Sequence, residues 1–198
     1  EGSMILGGLS GALVAIYTPG PGLLVMTLSL AAAALTGAVW GVIPALGQTK
    51  LQLPVLISSL LLNYPARAIT SYLVRFRFAD PSVTSASTVE IPPAVRIPDL
   101  PGGVSITLLF VVGAVAATWV FNNRTVAGYE TEMVGFNGRF SRYGGIDTSR
   151  QTVRVMAVSG ALAGLIGSHL ILGDVGRFLD GDLARTGFAW SGLLVALL

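Results

Sequence analysis

The hydrophobic positions of this 198-residue chain are gathered into long blocks separated by polar stretches. Ser3–Tyr17, Leu23–Leu46, Leu51–Val74, Ser105–Phe121 and Val153–Leu172 are five such blocks, and Thr186–Leu198 begins a sixth. The hydrocarbon core of a bilayer is crossed by about 20 predominantly apolar residues, within a range of roughly 17–25. The second, fourth and fifth blocks meet that test. The third is long enough but carries Pro54, Pro65 and Arg67, which predicts a helix broken near Pro65 or a partly re-entrant segment. The first and sixth read as clipped. Neither a charged leader nor a cleavage pattern marks the first as a signal peptide, so the chain reads as a piece of something longer. The expectation is an all-α, polytopic transmembrane helix bundle forming one domain over residues 1–198, with about five spans and part of a sixth.

The polar stretches fix the expected connections. Pro19-Gly20-Pro21-Gly22 is a tight turn and Gly47-Gln48-Thr49-Lys50 a short link. Residues 76–104 carry Pro81, Pro92, Pro93, Pro98 and Pro101 and read as an extended extracytoplasmic loop. Residues 122–152 form a second long segment, richer in arginine and glycine, and 173–185 a short one bearing Asp174, Asp180 and Asp182. Alternation places Lys50 and 122–152 on the cytoplasmic side. Basic residues then number six inside (Lys50, Arg124, Arg139, Arg142, Arg150, Arg154) against five outside (Arg75, Arg77, Arg96, Arg177, Arg185), a small positive-inside bias.

Composition agrees with the block pattern. Hydrophobic residues make up 53% of the chain and charged residues 11%, with a mean hydropathy of +0.74. A soluble domain carries about 25% charged residues, so a water-wetted surface is out of reach. The net charge of +2 comes with no basic stripe, which excludes a nucleic-acid footprint. With no cysteine in the chain, disulfide and thiolate chemistry are excluded as well.

Small residues recur at helical spacing. Gly7/Gly11, Gly37/Gly41 and Gly160/Gly164 each place two glycines four apart on one helix face. Lipid gives no hydrophobic drive between helices, so such faces allow the close backbone approach on which packing in a membrane depends. Helix packing is the expected role of all six.

Catalytic chemistry finds little support. The only lysine, Lys50, is followed by leucine and belongs to no phosphate-binding loop. His169 is the only histidine and cannot build a metal site alone; packing, an interfacial position and pore lining are its open readings. No cofactor is implied. An intramembrane enzyme and a structural or receptor-type membrane protein stay as alternatives to a transport component.

Two segments stand apart. In Ser58-Ser59-Leu60-Leu61-Leu62-Asn63-Tyr64-Pro65, two hydroxyls, an amide and a phenol at membrane depth must find partners. They either knit helices together or face a watery path, and Ser58, Ser59, Asn63 and Tyr64 are the candidates for lining one. The run from Arg124 to Ile146 mixes glycines, aromatics and arginines around a short helix on which Phe136, Phe140 and Tyr143 can share a face. The segment reads either as a solvated loop or as a docking surface, and exposed aromatics in a cluster favour a partner that covers them.

At this point the residues carry a resemblance. Glu1-Gly2-Ser3-Met4 is similar to E-G-Q-M, Gly37–Pro44 to G-A-L-W-G-A-I-P, and Ile57–Tyr64 to I-S-T-L-M-L-N-Y. Arg124-Thr125, Gly128-Tyr129-Glu130, Val134–Asn137, Tyr143–Ile146 and Ser159–Leu165 follow further elements in the same order. Together these resemble the permease subunits of bacterial ABC importers for nucleosides and simple sugars, in the branched-chain amino-acid permease superfamily.

The resemblance implies a multi-pass protein of the bacterial cell membrane. Its expected partners are a cytoplasmic ATP-binding subunit, a second permease subunit and an extracytoplasmic solute-binding protein. It further implies a cytoplasmic coupling helix over Gly135–Ile146, with Gly135, Phe136, Asn137, Arg139, Phe140, Arg142, Tyr143 and Ile146 meeting the ATPase. Departures from the pattern are Leu53-Pro54 in place of N-E, Glu132 in place of an arginine, and Phe140-Ser141 in place of two alanines. The bulk of Phe140 implies a partner groove of different shape.

Overall fold

The computed structural model describes the backbone of residues 1–97, 106–185, 187, 191–192 and 194–195. Within these residues the chain is built from helices: α1 (Gly2–Tyr17), α2 (Gly22–Leu51), α3 (Val55–Tyr72), α4 (Ile106–Arg124), α5 (Val126–Phe136), α6 (Gly138–Tyr143), α7 (Thr148–Leu170) and α8 (Asp182–Arg185). Most of the expected sixth block, 186–198, lies outside the described residues, as does the end of the 76–104 loop.

The centre of the fold is a three-helix crossing of α1, α2 and α7. It is built from small residues. Along α2 the buried positions are Val25, Ser29, Ala33, Gly37, Gly41, Pro44 and Ala45, while Leu24, Leu28, Leu35, Val39 and Ile43 are exposed. A water-soluble helix bundle buries its leucines. Here the large apolar side chains point outward and the glycines inward, the arrangement that suits contact with lipid or with further helices.

A Cβ at Gly37 would overlap the Gly160 carbonyl oxygen, one at Gly160 would overlap that of Gly37, and one at Gly164 that of Ala33. Gly7 faces the Gly164 Cα, Gly41 the Met156 carbonyl, and Gly11 the Ser168 side chain. All six glycines therefore lie at this crossing. The buried Ser168 hydroxyl fills the space that Gly11 leaves open.

Helix lengths bear on the membrane reading. Gly22–Leu51 and Thr148–Val175, the second including a π-helical turn, are long and apolar enough to cross a bilayer; α1 is a shorter apolar helix. At 1.5 Å per residue, the 30 residues of α2 span about 45 Å. That exceeds a hydrocarbon core of about 30 Å.

Three connections differ from the sequence expectation. The link foreseen at Gly47–Lys50 is the last turn of α2. The true boundary is Gln52, in the left-handed conformation (φ 55°), followed by Pro54 at the cap of α3. Nor is there a break at Pro65, because α3 runs through it from Val55 to Tyr72, just as α2 runs through Pro44. A proline removes one intrahelical hydrogen bond, and neighbouring helices can hold the rest in register. Finally, 122–152 is not a loop around one short helix. It folds as α5 and α6, and α7 begins inside it at Thr148.

Both α3 and α7 widen into π turns at the same end, over Leu73–Arg77 and Ile171–Val175. Much of the loop between α3 and α4 folds back over that end as a cap. Ser87 and Leu179 form an antiparallel bridge, the Thr88 amide donates to the Phe178 carbonyl (3.0 Å), and the Ile91 amide to that of Gly176 (2.8 Å). Ile91, Val95 and Phe178 are buried beneath it with Leu9, Ala12 and Leu172. The part of this loop expected to be merely extended is thus packed and hydrogen bonded.

Candidate functional site

A cleft of about 340 Å³ with a partly polar wall lies between the first turn of α1, the Trp40–Pro44 stretch of α2, Leu56–Asn63 of α3 and Met156–Ala163 of α7. It lies in the half of the bundle away from the cap. Its polar wall consists of Glu1, Ser3, Ser59, Asn63 and Ser159, and Trp40 supplies an aromatic surface. Asn63 is anchored: its Oδ1 accepts the Gly2 amide at 2.8 Å. That bond fixes the carboxamide orientation and ties α1 to α3.

The expected lining residues therefore separate. Ser59 and Asn63 line the cleft, Ser59 with its hydroxyl donated to the Leu56 carbonyl (3.0 Å). Ser58 turns its hydroxyl to the Pro54 carbonyl and sits near Gly47, and Tyr64 is exposed. Residues four apart in a helix share a face and neighbours do not, so only one of each adjacent pair can look into the cleft.

The aromatic-rich segment occupies the opposite end of the bundle from the cap. Thr125 caps α5, accepting the Gly128 amide (3.1 Å), and Gly128 lets α5 lie against the backbone of Phe121 and Asn122 at the end of α4. Asn137 ends α5 and caps α6, its Oδ1 accepting the amides of Arg139 and Phe140, both at 3.1 Å. Asp147 does the same for α7 through Ser149 and Arg150. Three consecutive caps turn one polar stretch into a compact helical elbow.

The aromatic residues of the elbow are left uncovered. Phe136 is 80% exposed, Phe140 61% and Tyr143 93%. They do not share one helix as expected: Phe136 closes α5, whereas Phe140 and Tyr143 sit three apart on α6. Gly135 and Ile146 flank the elbow; the Ile146 amide bonds the Ser141 carbonyl (2.9 Å) and Arg142 Nε the Thr148 hydroxyl (3.0 Å). Arg139 lies on the exposed side of the first turn of α6.

Sequence reasoning missed the residue that holds the elbow in place. Gln151 of α7, buried, donates from Nε2 to the Ala127 carbonyl (2.7 Å) and to Thr131 Oγ1 (2.5 Å). A glutamine near the start of an apolar block gives no signal by itself. Only the packing of α5 on α7 reveals it.

Charged groups sort by end. Lys50, Arg150 and Arg154 cluster where α2 ends and α7 begins, on the side of the elbow, while Arg75, Arg96 and Arg177 lie at the cap. At the cap, Asp180 accepts the Ser71 hydroxyl (2.6 Å) and Arg75 Nε (2.8 Å). The exposed Asp80 carboxyl is held below its usual value by hydrogen bonds from the Ser82 hydroxyl and amide. Among the described residues, no group of three His, Asp or Glu side chains is placed to hold a metal ion.

Long apolar helices packed on glycine, with a polar cleft between them, describe a helical membrane protein. The chain belongs to the family described as branched-chain amino acid transport system / permease component, which it matches over residues 1–198. It is similar to the glucose ABC transporter permease protein TsgB13 of Haloferax volcanii (32% identical over 210 residues) and the guanosine ABC transporter permease protein NupP of Bacillus subtilis (29% over 206). The nucleoside ABC transporter permease protein NupB of Lactococcus lactis is 26% identical over 209 residues. These alignments take in 100% of this chain but only 55%, 58% and 57% of the respective relatives. No solved structure matches the chain.

Proposed function

We propose that this chain is the membrane-spanning body of an ABC importer permease subunit, moving a small polar solute of the nucleoside or simple-sugar class on ATP hydrolysed by a partner. The observation that carries this reading is the elbow of α5 and α6, whose exposed aromatics are presented on a capped scaffold at the end away from the cap. Exposed aromatic surface of this kind is characteristic of a protein interface. The elbow, over Gly135–Ile146, is the coupling element, with Phe136, Phe140 and Tyr143 entering a groove of the ATP-binding subunit and Asn137 setting their direction.

The solute passes by the cleft, where Ser59 and Asn63 offer hydrogen bonds and Trp40 a ring face. The capped end is extracytoplasmic and receives a solute-binding protein; a second permease subunit completes the pathway. In this reading the protein is a multi-pass component of a bacterial cell membrane, with about five spans and part of a sixth. The exposed leucines of α2 and the apolar length of α7 support that placement.

Reconstitution tests the reading. The full-length chain, with the ATPase, second permease and binding protein encoded beside it, is placed in liposomes and offered radiolabelled glucose and guanosine. ATP-dependent uptake of one of them is the expected result. A purified full-length chain that assembles with no ATPase would overturn the proposal.

A further inference from the structure

Two cavities lie in series along α3. The cleft described above is lined by Leu56–Asn63 of that helix, and a second cavity of about 250 Å³, nearer the cap, is lined by Arg67, Thr70 and Ser71 together with Ile5, Phe178 and Asp180. Between them stands an ion pair. Glu1, a wall residue of the inner cleft, accepts Arg67 Nη2, a wall residue of the outer cavity, at 2.9 Å. The Glu1 side chain is 7% exposed and that of Arg67 45%, so the carboxylate is buried while the guanidinium faces the outer cavity.

Charged groups at membrane depth are expensive and persist where they pair and serve a path. This pair bridges α1 and α3 one helical turn from the Gly2–Asn63 hydrogen bond, so the two helices are fastened at two adjacent points. The outer cavity is itself roofed by Asp180, which is held by Ser71 and Arg75.

We propose that the Glu1–Arg67 pair is the internal partition of the solute path, separating an outer chamber under the cap from the inner cleft; this rests on the permease reading above. The pair suits a gate. Each half is a hydrogen-bonding group that a passing hydroxyl can engage, Glu1 as acceptor and Arg67 through guanidinium donors not used on Glu1. Together they carry no net charge, so a neutral polar solute can exchange hydrogen bonds with both halves without having to compensate an added charge. The chemical class that fits is an uncharged solute rich in hydroxyls.

The test is accessibility in the full-length protein, in sealed membrane vesicles. Cysteine is placed at Ser59 in the inner cleft, with any cysteine outside these 198 residues replaced. The probe is a charged, membrane-impermeant methanethiosulfonate applied from the face bearing the 78–97 cap. With the pair intact, Ser59→Cys is protected. In Arg67→Ala and in Glu1→Gln, protection is lost, and the exchanged pair Glu1→Arg with Arg67→Glu restores it.

Labelling from the opposite face, unchanged across the set, shows that each variant is folded and inserted. Equal labelling from the capped face with and without Arg67 would overturn the partition. Co-purification of the neighbouring ATPase from the same membranes reports separately on the permease reading.

Discussion

Gly37 of α2 and Gly160 of α7 meet backbone to backbone, each lying where a Cβ on the other would overlap its carbonyl oxygen. This reciprocal contact brings the two longest apolar helices together at small residues. It also sets the level of the polar cleft, because Gly41 and Gly160 themselves form part of the cleft wall. Packing and site are thus built from the same residues.

From that contact follows a change of sign. Glycine to alanine within a helix is ordinarily stabilising by about 1 kcal/mol. Gly160→Ala should instead destabilise, by about 1–3 kcal/mol, the usual cost of overfilling a packed interior. Gly113→Ala, with no atom within 4 Å of the added carbon, should be neutral or stabilising. Thermal unfolding of the detergent-solubilised full-length protein compares the two.

Gln151 makes a second prediction. Gln151→Ala leaves the Thr131 hydroxyl and Ala127 carbonyl without their α7 partner, at a cost of roughly 1–3 kcal/mol. The loss falls on the junction of α5 with α7, between the elbow and the cleft. ATP hydrolysis by the assembled complex should continue while its stimulation by solute falls. Equal losses of both would assign Gln151 to overall stability instead.

The cap of α6 makes a third. Asn137→Ala removes the acceptor of two amide hydrogen bonds and should weaken the helix by about 1 kcal/mol. Asn137→Asp keeps the acceptor and should retain coupling. Solute-stimulated ATP hydrolysis across the three proteins distinguishes a capping role from a direct contact with the amide side chain.

Asp80 gives the pH dependence. Its folded carboxyl is held below the ordinary value by Ser82, so the turn at 80–82 has its full support above the unfolded carboxylate value, about 3.9. That support is lost as the pH falls through the folded value. Hydrogen exchange at the Ser82 amide, compared between wild type and Asp80→Asn across that acid range, should show protection that fades in the wild type only.

Much of this architecture is legible along the chain because apolar length and glycine spacing are local signals. The blocks at Leu23–Leu46 and Val153–Leu172 became α2 and α7, and three glycine pairs became their crossing with α1. The connections were harder to read. Pro65 looked like a break, yet a proline inside an otherwise apolar helix is tolerated once neighbours support it, and the boundary fell at Gln52–Pro54. The elbow was visible as composition but not as two helices, since the dividing signal is the single side chain of Asn137. Glu1–Arg67, Ser71–Asp180 and Gln151–Thr131 join residues far apart in sequence, and pairings of that kind leave no trace in spacing or periodicity.

The central claim, that the α5–α6 elbow is the surface on which an ATP-binding subunit docks, is tested most directly by site-specific photo-crosslinking. A benzophenone amino acid is placed at Phe140 or Tyr143 of the full-length chain, and at Val39, exposed on α2, as the comparison. The proposal predicts that both elbow positions form an adduct with the co-purified ATPase and that Val39 does not. An intact complex in which neither Phe140 nor Tyr143 reaches the ATPase would contradict the account.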